Sequence, residues 1–388
     1  MIRVSLQLKP EEQDAFVETI TEGRELFKKA NELSASGRLR EAVTVYQRVL
    51  EINPRFFKAH NNLGLVYKRM GRLEKAISHY RTALSINPSS AEVQNNIGSA
   101  LYFLGRWLEA ASHFREALDK MPDFVEARNN FALLLRKMGF LQKAVDQYKL
   151  ALQMAPDDPV LLNNLGLAYQ DDGDLDQSLR CYRQAISSNP SYHKAYNNMA
   201  GILFKRGKIP ESIEQFKLAL EAKPDYAAAY NNLGFVYQHV GEYELAIYHL
   251  KKAVELKPTY GEALNNLGTV YFNLDRLRDA ELVFSILRDL KPRDANVYNS
   301  LGCVLFRMER WDEAMKCYLR ALRARPRDPS VYFNLGDVCY QKGLFKQTIR
   351  FWKTGLKMEP GNYDVKCRLA ELIRQNRDDR DDENESEL

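Results

Sequence analysis

An all-α fold of stacked helix pairs is the class this sequence predicts, and three observations predict it. Prolines recur every 34 residues, at Pro54, Pro88, Pro122, Pro156, Pro190, Pro224, Pro258, Pro292, Pro326 and Pro360. That spacing gives ten uninterrupted 34-residue repeats from Gly23 to Asn362, and a fixed period of this size marks a repeat architecture. Within the repeats the eighth position is small (Gly64, Gly98, Ala132, Gly166), as is the twentieth (Ala76, Ala110, Ala144, Ser178). The twenty-fourth is large (Tyr80, Phe114, Tyr148, Tyr182).

Each repeat therefore reads as helix, tight turn, helix. The small residues at positions eight and twenty face each other and let two antiparallel helices approach. The bulk at position twenty-four is expected to fill the space towards the next repeat. Glycine stands at the fifteenth position in eight repeats, as in Gly71, Gly105 and Gly139, where a helix C-terminus favours it. Proline cannot continue a helix, so it closes the second one. Asp275 and Glu309 replace the turn glycine in repeats eight and nine, and Leu287 takes a normally small site; a locally altered twist is expected there. One helix pair cannot bury its own apolar stripe, so the repeats must stack and share a core.

Four segments follow: an N-terminal extension or cap (1–22), the repeats (23–362), a C-terminal capping helix (363–376) and an acidic disordered tail (377–388). Pro10 suits the first turn of a helix, and Phe16, Val17 and Ile20 are expected to face repeat one. The alternation Ile2, Val4, Leu6, Leu8 allows a short strand. In the capping helix Val365, Leu369, Leu372 and Ile373 fall at helical spacing. The tail holds seven acids and two bases. A run of that kind stays solvated, although the basic body leaves open that it occupies a groove.

Composition narrows the function. Of 388 residues, 45% are hydrophobic and 28% charged, which excludes a wholly disordered chain. A net charge of +5 is too small for a dedicated nucleic-acid polycation. No apolar run approaches the roughly 18 residues of a membrane helix, and Met1-Ile2-Arg3-Val4 opens no signal-peptide core; a cytoplasmic location is expected. The five cysteines (Cys181, Cys303, Cys317, Cys339, Cys367) are odd in number and lack CxxC spacing, which reads as a reducing compartment. His79 and His113 stand 34 residues apart, as copies of one helix position rather than metal ligands. No phosphate loop, dinucleotide fingerprint, HExxH or GxSxG is present. Neither catalysis nor a cofactor is expected.

The run Asn61-Asn62-Leu63-Gly64-Leu65-Val66-Tyr67, followed by Ala76, Tyr80, Ala83 and Pro88, resembles the tetratricopeptide repeat family. The pattern returns in phase across nearly nine tenths of the chain. The resemblance implies a right-handed α-α superhelix whose concave side is lined by the first helix of each repeat. It further implies that positions two, five, six, nine, twelve and thirteen point into the groove. Position six holds Asn62, Asn96, Asn130, Asn164, Asn198, Asn232, Asn266 and Asn334, and position five holds Asn61, Asn95, Asn129, Asn163, Asn197, Asn231, Asn265 and Asn299. The pattern is similar to the asparagine ladder in the repeats of O-linked N-acetylglucosamine transferase and of importin-type solenoids, which implies capture of an extended polypeptide by its main chain.

A carboxamide carries both donor and acceptor, so it suits a peptide backbone. One asparagine of each pair is expected to bridge neighbouring repeats. Each neutral hydrogen bond nets only about 0.5–1.5 kcal/mol, so several repeats must act together. Selectivity would come from Leu65, Leu133, Leu167 and Phe235 at position nine and from Tyr102, Phe204, Phe272 and Phe306 at position twelve. Lys68, Arg69, Arg136, Lys137, Lys205 and Arg307 add positive charge. The expected partner is a protein or peptide segment with apolar anchors and some acidic residues. Two alternatives stand beside it. One is a solenoid for single-stranded RNA, although Glu92, Glu126, Asp171, Glu262 and Asp337 interrupt the basic stripe such a site wants. The other is a self-assembling structural scaffold.

Overall fold

The computed structural model describes the backbone of residues 10–386 and the side chains of residues 21–375. The possible strand at Ile2–Leu8 and the side chains of Phe16, Val17 and Ile20 lie outside those limits. The described residues form helices and connecting turns only.

Two compact units divide the chain, Met1–Asn198 and Met199–Leu388. The first contains α1 (Pro10–Ala35), α2 (Leu39–Ile52), α3 (Phe57–Arg69), α4 (Leu73–Ile86), α5 (Ala91–Phe103), α6 (Trp107–Lys120), α7 (Val125–Lys137), α8 (Leu141–Met154), α9 (Pro159–Asp172) and α10 (Leu175–Ser188). The division falls in α11 (His193–Lys205). The second unit continues with α12 (Ile209–Ala222), α13 (Ala227–His239), α14 (Tyr243–Leu256), α15 (Gly261–Asn273), α16 (Leu277–Leu290), α17 (Ala295–Arg307), α18 (Trp311–Ala324), α19 (Pro329–Gln341), α20 (Phe345–Met358) and α21 (Tyr363–Ser386). In each unit odd-numbered and even-numbered helices pair within a repeat, and each pair packs on the next.

The close approach inside a pair comes from positions eight and twenty-four of the same repeat. A Cβ added to Gly98 would stand 2.8 Å from the Phe114 ring, and one added to Gly302 would stand 2.5 Å from the Tyr318 ring. The large ring therefore fills space within its own pair, not only towards the next repeat. Positions eight and twenty do face each other. Where position twenty is serine, its hydroxyl donates to the position-eight carbonyl: Ser178 to Gly166 at 2.7 Å and Ser212 to Ala200 at 2.8 Å.

All eight turn glycines adopt positive φ, between 69° for Gly343 and 89° for Gly173. Asp275 and Glu309 adopt the same left-handed conformation at 57° and 59°. These two turns keep the glycine backbone form and bear the side-chain penalty, about 1–2 kcal/mol for a non-glycine residue. Arg307 meets the Asp275 carboxylate at 2.8 Å. Leu287 is buried opposite Gly261, where an added Cβ would make an ordinary 3.4 Å contact with it.

At the N-terminal end α1 starts at Pro10, the residue suited to a first turn, and runs unbroken into the first repeat. At the other end α21 continues through Ser386, so residues 377–386 are helical where a disordered tail was expected. Extending a helix that already exists avoids the cost of nucleating one, and Arg and Glu are good helix formers. Val365, Leu369 and Leu372 bury against Phe333 and Trp352. Asp337 fastens this cap, accepting from Trp352 Nε1 at 3.1 Å and from Arg368 at 2.6 Å.

Candidate functional site

Within each unit, asparagines of the first helices bond between neighbouring repeats. The amide nitrogen at position six donates to the side-chain oxygen at position five of the preceding repeat. In the N-terminal unit the pairs are Asn96 to Asn61 at 3.0 Å, Asn130 to Asn95 at 2.9 Å, Asn164 to Asn129 at 2.9 Å and Asn198 to Asn163 at 2.8 Å. In the C-terminal unit they are Asn266 to Asn231 at 3.0 Å and Asn334 to Asn299 at 2.9 Å. Asn62 uses Asn31 instead, at 2.9 Å, because repeat one has Phe27 at position five.

The two positions are used differently. A carboxamide offers two N–H donors and one oxygen. At position five the oxygen is taken by the next repeat, and Asn61 and Asn95 also donate to Glu92 at 2.8 Å and Glu126 at 3.1 Å. Asn61, Asn95, Asn163 and Asn231 are buried. At position six one N–H is committed. Among the described contacts, the oxygen and second N–H of Asn96, Asn130, Asn266 and Asn334 have no further hydrogen bond except a weak one from Asn334 to Cys303. The Asn164, Asn198 and Asn232 oxygens accept from the adjacent asparagine, at 3.5, 3.4 and 3.2 Å. Except for Asn96, the position-six residues are half-buried.

Four of the predicted side chains between these rungs, Phe235, Phe272, Phe306 and Arg307, line two clefts of the C-terminal unit. A cleft of about 600 Å³ spans α13, α15 and α17 and is lined by Asn231, Phe235, Asn265, Asn266 and Ser300, among others. A smaller one of about 150 Å³ brings together Phe272, Phe306, Arg307 and Asn334. Phe204 packs edge-on against Phe235, with ring centroids 5.7 Å apart. Leu65, Leu133, Leu167 and Tyr102 are half-buried on their helices.

The cations are less available than their sequence positions imply. Lys68 donates to Ser99 at 3.0 Å, and burial lowers its pKa. Arg69 donates to the Ser34 carbonyl at 2.7 Å. Arg136 pairs with Asp171 at 3.0 Å, and Arg307 with Asp275. Lys137 and Lys205 are exposed and make no ion pair among the described residues.

One contributor escaped the sequence reading. The ring at position twenty-four comes from the second helix, yet its polar end reaches side chains of the first-helix face. Tyr46 donates to Asn31 at 2.6 Å, and Tyr318 lines the smaller cleft. The hydroxyls of Tyr80 and Tyr148 are buried and without a hydrogen-bond partner among the described residues. The available signal was the recurrence of tyrosine where phenylalanine would fill the same volume. Among the described residues there is no group of His, Cys, Asp or Glu suited to a metal ion, and no helix long and apolar enough to cross a membrane.

Paired helices, left-handed turns and a glycine-to-ring contact repeated every 34 residues define a tetratricopeptide α-solenoid. The chain belongs to the family described as cilia and flagella-associated protein 70 C-terminal domain, whose profile matches residues 23–229 and again 193–386. No curated protein matches it. Several solved structures share the fold. The Cut9–Hcn1 hetero-tetramer of APC/C is 16% identical with a TM-score of 0.52, over 90% of this chain and 75% of that one. The human IFIT1 dimer with m7Gppp-AAAA is 18% identical with a TM-score of 0.51, over 92% and 96%. PilF of Pseudomonas aeruginosa is 19% identical with a TM-score of 0.50, over 56% and 98%.

Proposed function

We propose that this chain is a non-catalytic protein-interaction scaffold whose first-helix face takes up an extended polypeptide. The observation that carries the reading is the hydrogen-bonding capacity left at position six. After its bond to the preceding repeat, the carboxamide of Asn130 or Asn266 retains its oxygen and one N–H, the complement of a peptide unit, and that of Asn164 or Asn198 retains one N–H. Neighbouring half-buried aromatic and leucine side chains supply apolar sockets, and exposed polar and apolar groups on such a face favour binding. Because four of the six groove cations have partners within the chain, selectivity for acidic residues rests on Lys137 and Lys205.

The test starts from random linear peptides selected on phage against the whole chain. Replacing Asn130, Asn164 and Asn198 together by alanine should weaken the selected peptides by about tenfold or more, since each lost bond is worth about 0.5–1.5 kcal/mol. The matching position-five variant, Asn95→Ala with Asn129→Ala and Asn163→Ala, should chiefly lower the melting temperature. Unchanged peptide affinity in the position-six variant would sink the groove reading.

A second reading, single-stranded RNA, draws on the exposed Lys137 and Lys205 and on the exposed Phe103 beside Tyr102. A base can stack on such rings. Binding of an unstructured oligonucleotide with a steep salt dependence, lost on Lys137→Glu and Lys205→Glu, would favour it.

A further inference from the structure

The second-helix face of the C-terminal unit carries a cleft that the groove reading does not use. It has a volume of about 390 Å³ and opens between α16 and α18, with α17 beneath. Ligand pockets occupy about 300–1,000 Å³. Its floor is apolar, formed by the buried Leu301, Leu305 and Tyr298.

Its rim is cationic. Arg288, Lys316, Arg320 and Arg323 line it. The two carboxylates at the same cleft, Glu281 and Glu313, are both held by Arg310, at 2.6 and 2.7 Å. Arg288 has Asp289 at 2.9 Å, and Arg320 lies over the Tyr298 ring at 5.7 Å. Lys316 and Arg323 are exposed and make no ion pair among the described residues. From Ala314 to Arg327 the sequence holds five basic residues and no acid. Lys316, Arg320 and Arg323 fall at i, i+4 and i+7, on one helix face. Like charges so placed destabilise a helix by a few tenths of a kcal/mol per pair. The protein therefore holds a positive ridge that its own fold does not neutralise.

We propose that this cleft binds an acidic polypeptide segment. Its carboxylates meet Lys316, Arg320 and Arg323, and an apolar side chain enters over Leu301 and Leu305. The apolar floor favours polypeptide over nucleic acid: base stacking needs an accessible ring face, and Tyr298 is buried under Arg320. The site is separate from the asparagine rows, so one chain holds two partners by different chemistry.

The test uses the full chain and a fluorescent peptide of glutamate and aspartate interspersed with leucine, read by anisotropy. Lys316→Glu with Arg320→Glu should weaken it by about tenfold or more, and salt should weaken it in the parent protein. The position-six triple alanine variant should leave it unchanged. Arg320→Gln with Arg323→Gln removes charge without adding carboxylates and serves where the reversal impairs folding. As an independent readout, the peptide should slow alkylation of Cys317, which lines the cleft, but not of the exposed Cys367. Unaltered affinity in both folded charge variants, or unaltered Cys317 alkylation, overturns the proposal. So does a single-stranded oligonucleotide that binds more tightly than the peptide and is lost on the same variants.

Discussion

The two units of the chain fasten one recurring joint with different chemistry. At four joints the carbonyl of the proline that ends a repeat meets a donor at position four of the next. At two in the N-terminal unit that donor is imidazole or basic: His60 reaches Pro54 at 3.0 Å, and Arg128 reaches Pro122. At two in the C-terminal unit it is a phenol, with Tyr298 on Pro292 and Tyr332 on Pro326, each at 3.2 Å. Behind the joint the N-terminal unit sets polar couples, His60 with His79 at 3.2 Å and Gln94 with His113 at 2.5 Å. The C-terminal unit sets rings there, Tyr230 against His249 and Tyr332 against Phe351. The joint is thus closed by a cationic or imidazole donor at the first pair of sites and by a hydroxyl at the second.

The most severe way to break the contrast is to strike what the units share. Gly98→Val in one unit and Gly302→Val in the other should each cost about 2–3 kcal/mol by overpacking, read from urea melts. A large difference between them would show that the glycine-to-ring contact is not equivalent in the two units.

Acid comes next. Burial, reinforced by Lys217, pushes His249 down to about 4, and its Nδ1 has no hydrogen-bond partner. The unfolded chain then takes up the proton first, so this contribution is complete above pH about 6.5 and is lost as pH falls towards 4. We expect a loss of about 2 kcal/mol between pH 7.5 and 4.5, and His249→Phe should abolish it. His79 moves the same way, lowered by burial and by His60 and Lys75. His60→Tyr gives that joint a phenol and removes one of the charges that lower His79. It should reduce the part of the acid sensitivity that comes from His79 while changing stability at pH 7.5 by less than about 1 kcal/mol. Equal acid sensitivity before and after that substitution would remove the proposed cause.

The smallest expected effect is a gain. Asp275→Gly and Glu309→Gly should each stabilise the C-terminal unit by about 1 kcal/mol, since the backbone there already has the left-handed form. The N-terminal unit offers no such gain, because its described turns already use glycine.

Most of the fold was legible because a repeat states its rule many times. Proline at 34-residue intervals and the small–small–large pattern placed the helix pairs, and the paired asparagines pointed to the first-helix face. The extent of α21 was not legible: charge density argued for solvation, while continuity with an existing helix decided the backbone. Nor was the engagement of Arg136 and Arg307, whose partners Asp171 and Asp275 lie one repeat away on the same face. Sequence order shows that charges alternate, but not which of them meet. The division of labour between positions five and six was anticipated only as one bridge in each pair. The coordinates show that both members take part, one as acceptor and the other as donor.

The carboxamide bonds between repeats have a mechanical consequence. Each ties a position-six rung to the repeat before it, so a load placed on a rung is felt in the preceding repeat. A guest lying across several rungs should act as a splint, slowing amide exchange in flanking helices that it never touches.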